Sequence, residues 1–98
     1  MKKITNDACR AFMAAKPFKR SNTEVIVLDN VTIMKLFDNS IAYRYNDPER
    51  TLSVTNCGWK TATTKERLNG IHAVRIHQRK GEWYLNGELW NGELIDVK

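Results

Sequence analysis

The sequence predicts an α+β fold in one domain, and three observations carry that expectation. Apolar residues in 4–17 recur with a helical period. Residues 23–56 break into β-branched and aromatic runs joined by Asp/Asn turns, and a short capped helix near 63–69 separates them from a second alternating segment. The expected architecture is an N-terminal helix and one short helix packed on an antiparallel β-meander sheet of five to seven strands. Ninety-eight residues suffice for one core and not for two, so residues 1–98 read as a single domain.

The first helix has legible ends. Thr5 or Asn6 suits its N-cap, Asp7 the positive end of the helix dipole, Lys16 the negative end, and Pro17 stops propagation. Ala8, Ala11, Phe12 and Ala15 fall at i, i+3, i+4 and i+7, with Cys9 and Met13 widening the stripe. Such a stripe packs on a sheet or, alternatively, docks a partner. Residues 18–22 read as a polar loop.

Strands are expected at 23–28, 31–37, 40–45 and 51–56, with turns at Asp29-Asn30, Asp38-Asn39 and 46–50, giving a four-stranded antiparallel meander. Leu52 and Val54 point to one face and Ser53 and Thr55 to the other. Met34 and Leu36 oppose Lys35, whereas Ile33 and Phe37 share the Lys35 face, as in a strand covered on both sides.

Residues 56–70 read as a strand that turns through Gly58-Trp59 into a helix. Thr63 and Glu66 have the spacing of a capping box, and Asn69-Gly70 offers a left-handed stop. So short a helix is not stable alone; Leu68 is its expected anchor, with Trp59 at its mouth. Beyond it, Val74 and Ile76 alternate with Arg75, His77 and Arg79, Lys80-Gly81 forms a tight turn, and residues 82–85 return as a second arm. The runs Leu85-Asn86-Gly87-Glu88-Leu89 and Trp90-Asn91-Gly92-Glu93-Leu94 carry two Asn-Gly turn signals. Five residues separate them, too few for two independent hairpins, so at least one is a bulge or corner.

The net charge of +5 is uneven: residues 1–20 balance to +5, 21–50 to −2, 51–80 to +5 and 81–98 to −3. A basic chain with an acidic tail is compatible with nucleic acid, with an acidic protein surface, or with solubility alone. No apolar leader and no run of about 18 apolar residues is seen, so neither a secretion signal nor a membrane span is expected. Cys9 and Cys57 are then expected as free, at least partly buried thiols.

Catalytic patterns are missing. His72 and His77 sit five residues apart, on opposite faces of a strand, and no Cys-x-x-Cys accompanies them, so no metal site is expected. Ser21, Ser40 and Ser53 lack a nucleophile elbow, and neither cysteine stands beside a base. Glu82, Glu88, Glu93 and Asp96 solubilise strand faces. No phosphate loop or dinucleotide fingerprint is present. The chain is therefore expected to have no catalytic residues and no cofactor.

The best binding constellation is basic and aromatic. Lys60, Lys65, Arg67, Arg75, Arg79 and Lys80 fall in one 21-residue stretch that also holds His77, led by Trp59 and followed by Trp83 and Tyr84. Cations attract phosphate and an exposed ring stacks an unpaired base. The same residues have a plainer explanation, with lysines and arginines solubilising the surface and tryptophans filling a small core. The candidate binding set, for protein or nucleic acid, is Trp59, Lys60, Lys65, Arg67, Arg75, His77, Arg79 and Lys80.

The block from Gly58-Trp59-Lys60-Thr61 through Lys65-Glu66-Arg67-Leu68-Asn69-Gly70, the Trp-Tyr-Leu-Asn-Gly-Glu-Leu-Trp run at 83–90 and the opening Lys3-Ile4-Thr5-Asn6-Asp7-Ala8 together resemble a type of small protein encoded by tailed bacteriophages and left without an assigned role. The resemblance spans most of the chain and transfers no functional residue. It implies a product made in the cytoplasm of an infected bacterium. By analogy with small phage accessory proteins it also implies a non-enzymatic protein that binds, and modulates or inhibits, a host protein or ribonucleoprotein such as a CRISPR or restriction component. The alternative is a single-stranded DNA- or RNA-binding protein using the 59–84 surface.

Overall fold

The computed structural model describes residues 1–97, in which two helices and nine strands form: α1 (Lys3–Ala14), β1 (Phe18–Arg20), β2 (Thr23–Val27), β3 (Val31–Leu36), β4 (Asn39–Tyr45), β5 (Leu52–Val54), α2 (Ala62–Asn69), β6 (Ile76–Arg79), β7 (Glu82–Leu85), β8 (Glu88–Leu89) and β9 (Ile95–Val97). The strands make two antiparallel sheets, one of six strands in the order β1-β2-β3-β4-β5-β9 and one of three in the order β6-β7-β8. The α+β expectation holds.

Helix α1 starts ahead of the expected caps. Lys2 is extended and offers no side-chain cap; its amide instead donates to Glu66 Oε2 at 3.0 Å, so a carboxylate from α2 takes part of the capping role. Thr5 lies inside the helix, and the buried stripe is Thr5, Ala8, Cys9 and Phe12. The stripe thus has the expected i, i+3, i+4, i+7 spacing but sits one turn nearer the N-terminus, leaving Ala15 exposed as a left-handed C-cap. Pro17 follows the last turn, as expected.

The meander is present with shifted turns. Residues 18–20, expected in a loop, add strand β1, with Phe18 opposite Val25. The β3–β4 turn is Phe37-Asp38 rather than Asp38-Asn39: Leu36 pairs with Asn39, and Phe37 and Asp38 take φ of +49° and +65°. A bulge at Met34/Lys35 leaves Ile41 as the extra residue, so Ile41 and Ala42 are both buried. The Asp47 carboxylate closes the next turn by accepting from the Thr51 amide and hydroxyl at 2.9 and 2.7 Å. The far edge is closed by β9, where Ser53 Oγ donates to Asp96 at 2.5 Å.

The hairpin after α2 forms as read, with Lys80-Gly81 and Asn86-Gly87 both in left-handed turn positions, but it belongs to the separate three-stranded sheet. Of the two Asn-Gly pairs, the second is a corner: Gly92, at φ +91°, gives its carbonyl to the Asn56 amide and the Thr55 hydroxyl. Gly70 corrects the expected left-handed stop, since its φ is −76°. It is small for another reason: a Cβ there would stand 2.6 Å from both Cys9 Sγ and Thr5 Cγ2, so glycine lets α1 approach α2.

The core joins all these elements. Phe12 from α1, Met34, Ile41 and Val54 from the large sheet, Leu68 from α2, and Trp83 and Trp90 around the small sheet bury almost completely. The two tryptophan rings lie 6.3 Å apart in a tilted pair. Each such side chain stabilises the fold by about 1.5–3 kcal/mol through removal from water.

Candidate functional site

Strand β5 ends in a tight turn that throws an aromatic residue outward. The Asn56 carbonyl accepts from the Trp59 amide at 2.8 Å, its Oδ1 accepts from the Gly58 amide at 2.8 Å, and Cys57 and Gly58 take φ of +54° and +82°. Trp59 emerges 57% exposed, and the chain enters α2 three residues later. The cap of that helix is Thr61, whose hydroxyl accepts from the Thr64 amide at 3.1 Å and contacts the Thr64 hydroxyl at 2.9 Å. The expected capping box of Thr63 and Glu66 is therefore corrected. Glu66 turns away because its carboxylate accepts from Thr5, Lys2 and Arg67, a tertiary attraction that outweighs the local one.

Trp59 faces the β3–β4 turn across a groove of about 360 Å³. Leu36 and Ile41, both buried, line it beneath two exposed rings, Trp59 and the 64%-exposed Phe37; Thr61, Thr63 and Thr64 supply a wall from the start of α2. Asn56 also lines it, 1% exposed, with its Nδ2 left without an acceptor among the described residues. Phe37 is the residue that sequence patterning missed. Alternation read it as the end of a strand, and the only available signal was its place just before Asp38-Asn39.

The basic candidates divide. Arg75, Arg79 and Lys80 are exposed on and beside the β6–β7 hairpin, together with His77, whose ring stacks on its cross-strand partner Tyr84 at 5.0 Å and 7°. Lys65 is half-buried, donating to Gln78 Oε1 at 3.0 Å with its ammonium 6.0 Å from the Trp83 ring, and so bridges α2 to that hairpin. Lys60 is exposed and stands in the chain between Trp59 and Thr61, which both line the groove, without lining it itself. Arg67 departs from the expected binding surface, being 3% exposed. Its guanidinium donates to Thr23 Oγ1 at 3.0 Å, Thr5 Oγ1 at 2.6 Å and Glu66 Oε1 at 2.5 Å, tying α2 to α1 and β2.

Other reactive groups are quiet. Cys9 is buried with Sγ donating to the Arg67 carbonyl, and burial pushes its thiol up to about 11, which suppresses thiolate chemistry. Cys57, expected to be partly buried, is exposed; its thiol is also raised, and Sγ donates to the Ser40 carbonyl at 3.1 Å. Among the described residues no three His, Cys, Asp or Glu side chains gather as a metal site would need, and no helix is long and apolar enough to cross a membrane.

No curated protein and no solved structure matches this chain. A family model described as Kyanoviridae Gp96 protein matches residues 1–96. The chain belongs to that family and is a phage protein.

Proposed function

We propose that this phage protein is a non-catalytic binding module that engages a host macromolecule through the groove between Phe37 and Trp59. Phe37 is the observation that supports the reading. A bulky aromatic in a left-handed turn position is uncommon and strained, by about 1–2 kcal/mol; of the other two-residue hairpin turns, Lys80-Gly81 and Asn86-Gly87 end in glycine and Ser21-Asn22 uses two small polar residues. Exposed to solvent, its ring returns little of that cost through burial. Large aromatic side chains at the mouth of an apolar pocket are the groups that anchor protein interfaces. The target class is a host protein or ribonucleoprotein, including a component of CRISPR or restriction defence.

Recovery of tagged protein from bacterial lysate, with and without nuclease, tests this reading. A specific partner should survive nuclease and be lost from Phe37→Gly and Trp59→Ala, and both variants should melt as cooperatively as the parent. Retention of the partner by both variants refutes the groove as the contact.

A second reading is favoured by the exposed cations Arg75, Arg79 and Lys80, which flank His77 along the chain, with the His77 ring stacked on Tyr84. If this surface takes single-stranded DNA or RNA, anisotropy of a labelled strand between 50 and 200 mM salt should fall steeply, and Arg75→Ala or Arg79→Ala should each lower the logarithmic salt slope by about one. A flat, weak signal eliminates it.

A further inference from the structure

We infer that the Phe37–Trp59 groove receives an acidic peptide segment of the partner, with one large apolar side chain seated between the two rings and a neighbouring carboxylate held at the start of α2. The inference rests on the docking reading above and specifies its chemistry.

The positive end of α2 is unmatched by its own chain. Its first turn holds no acid, and the Ala62 and Thr63 amides meet no acceptor among the described residues. Glu66, the acid that sequence spacing offered for this end, is held at the opposite side by Thr5 and Lys2. Lys60 stands exposed one residue before the cap. Asp38, the acid closest in sequence to the groove residues of the turn, lines a different hollow with Lys19 and Lys35. Charge complementarity therefore selects an anionic group at this end of the groove.

Asn56 gives an independent indication. It is almost wholly buried, lines the same groove, and has its Oδ1 engaged by the Gly58 amide while Nδ2 has no acceptor among the described residues. Buried polar groups are ordinarily satisfied. A small shift of this side chain on binding offers Nδ2 to a peptide carbonyl.

The walls choose a peptide over a nucleotide. Leu36, Ile41, Phe37 and Trp59 present carbon, and a flipped base would need several donors and acceptors around its polar edge. An aliphatic or aromatic side chain makes no such demand. The volume, about 360 Å³, lies at the lower end of the roughly 300–1,000 Å³ typical of ligand sites and suits one large side chain with its flanking backbone.

Trp83 and Trp90 are buried, so Trp59 is the tryptophan whose emission should respond to an occupant. The probes are acetylated, amidated pentapeptides with a central phenylalanine or leucine between aspartates, the same peptides with lysines, aspartate-flanked peptides with a central serine, and pentathymidylate. The expected result is a saturable blue shift with the aspartate-flanked apolar peptides alone, weakened at least fivefold by Lys60→Glu and abolished by Phe37→Gly, a folded variant by its thermal melt. Equal binding of lysine-flanked peptides, silence from every peptide, or a response to pentathymidylate only would each overturn the inference. If the acidic peptides fail while Phe37→Gly and Trp59→Ala still lose the lysate partner, the groove remains an interface and only the peptide chemistry falls. If that partner is retained, both fall.

Discussion

Phe37 and Asp38 fill both central positions of a two-residue turn with positive φ, where asparagine and glycine are at ease. Replacing Phe37 with glycine should therefore raise stability by about 0.5–1 kcal/mol, the strain relieved exceeding the added chain entropy. Urea melts of the variant check this, and a loss of stability would mean that the ring packs after all. A second residue-scale test concerns the cap of α2. Thr61→Ala should lower stability by about 1 kcal/mol, whereas Thr63→Ala should change it little. The sequence placed a cap in this stretch but not at the right threonine. Three threonines crowd 61–64, and Glu66 three residues after Thr63 imitated a capping box because nothing local reveals that its carboxylate is drawn to Thr5 and Lys2.

The helices are joined by one polar cluster. Arg67, Glu66, Thr5, Thr23 and the Lys2 amide satisfy one another, while Cys9 and Gly70 set how closely the two helices approach. Arg67→Leu should lower stability by about 3 kcal/mol, the low end for breaking a buried pair because Glu66 keeps contact with water. Burial raises the Glu66 carboxyl, but the bonds from Thr5 and the Lys2 amide and the Arg67 charge outweigh it, leaving the net value below the ordinary 4.5. A carboxylate depressed in the folded state is a source of stability above its unfolded value that is lost as pH falls through the folded one. Stability should thus decline as pH drops below about 4.5, and Glu66→Gln should flatten that acid branch in pH-dependent melts. Periodicity revealed that α1 buries one face, since apolar spacing is a local property. It could not assign Arg67 to that interior, because a charged residue in a basic run looks solvated until partners 44 and 62 positions away are known.

Across the whole molecule, measuring 39 × 31 × 20 Å, the tail is what closes the large sheet and steadies the groove together. The meander was legible because its strands follow one another. The β5–β9 pairing was not, since the Ser53–Asp96 bond spans 43 residues and three-residue strands carry almost no alternation. Gly92 is the joint. Its carbonyl holds Thr55 and Asn56, its φ of +91° suits glycine, and a Cβ there would overlap the Asn56 side chain itself. Gly92→Ala should consequently lower stability by about 3 kcal/mol, adding overpacking to left-handed strain. Since Asn56 lines the groove and its backbone and side chain set the Trp59 turn, the same substitution should alter Trp59 emission in the folded state, whereas Gly81→Ala, at a turn with open space around it, should leave that emission unchanged. Thermal melts and tryptophan spectra of the two variants separate the cases. If Gly92→Ala destabilises the fold but leaves the Trp59 spectrum intact, the tail closes the sheet without shaping the groove.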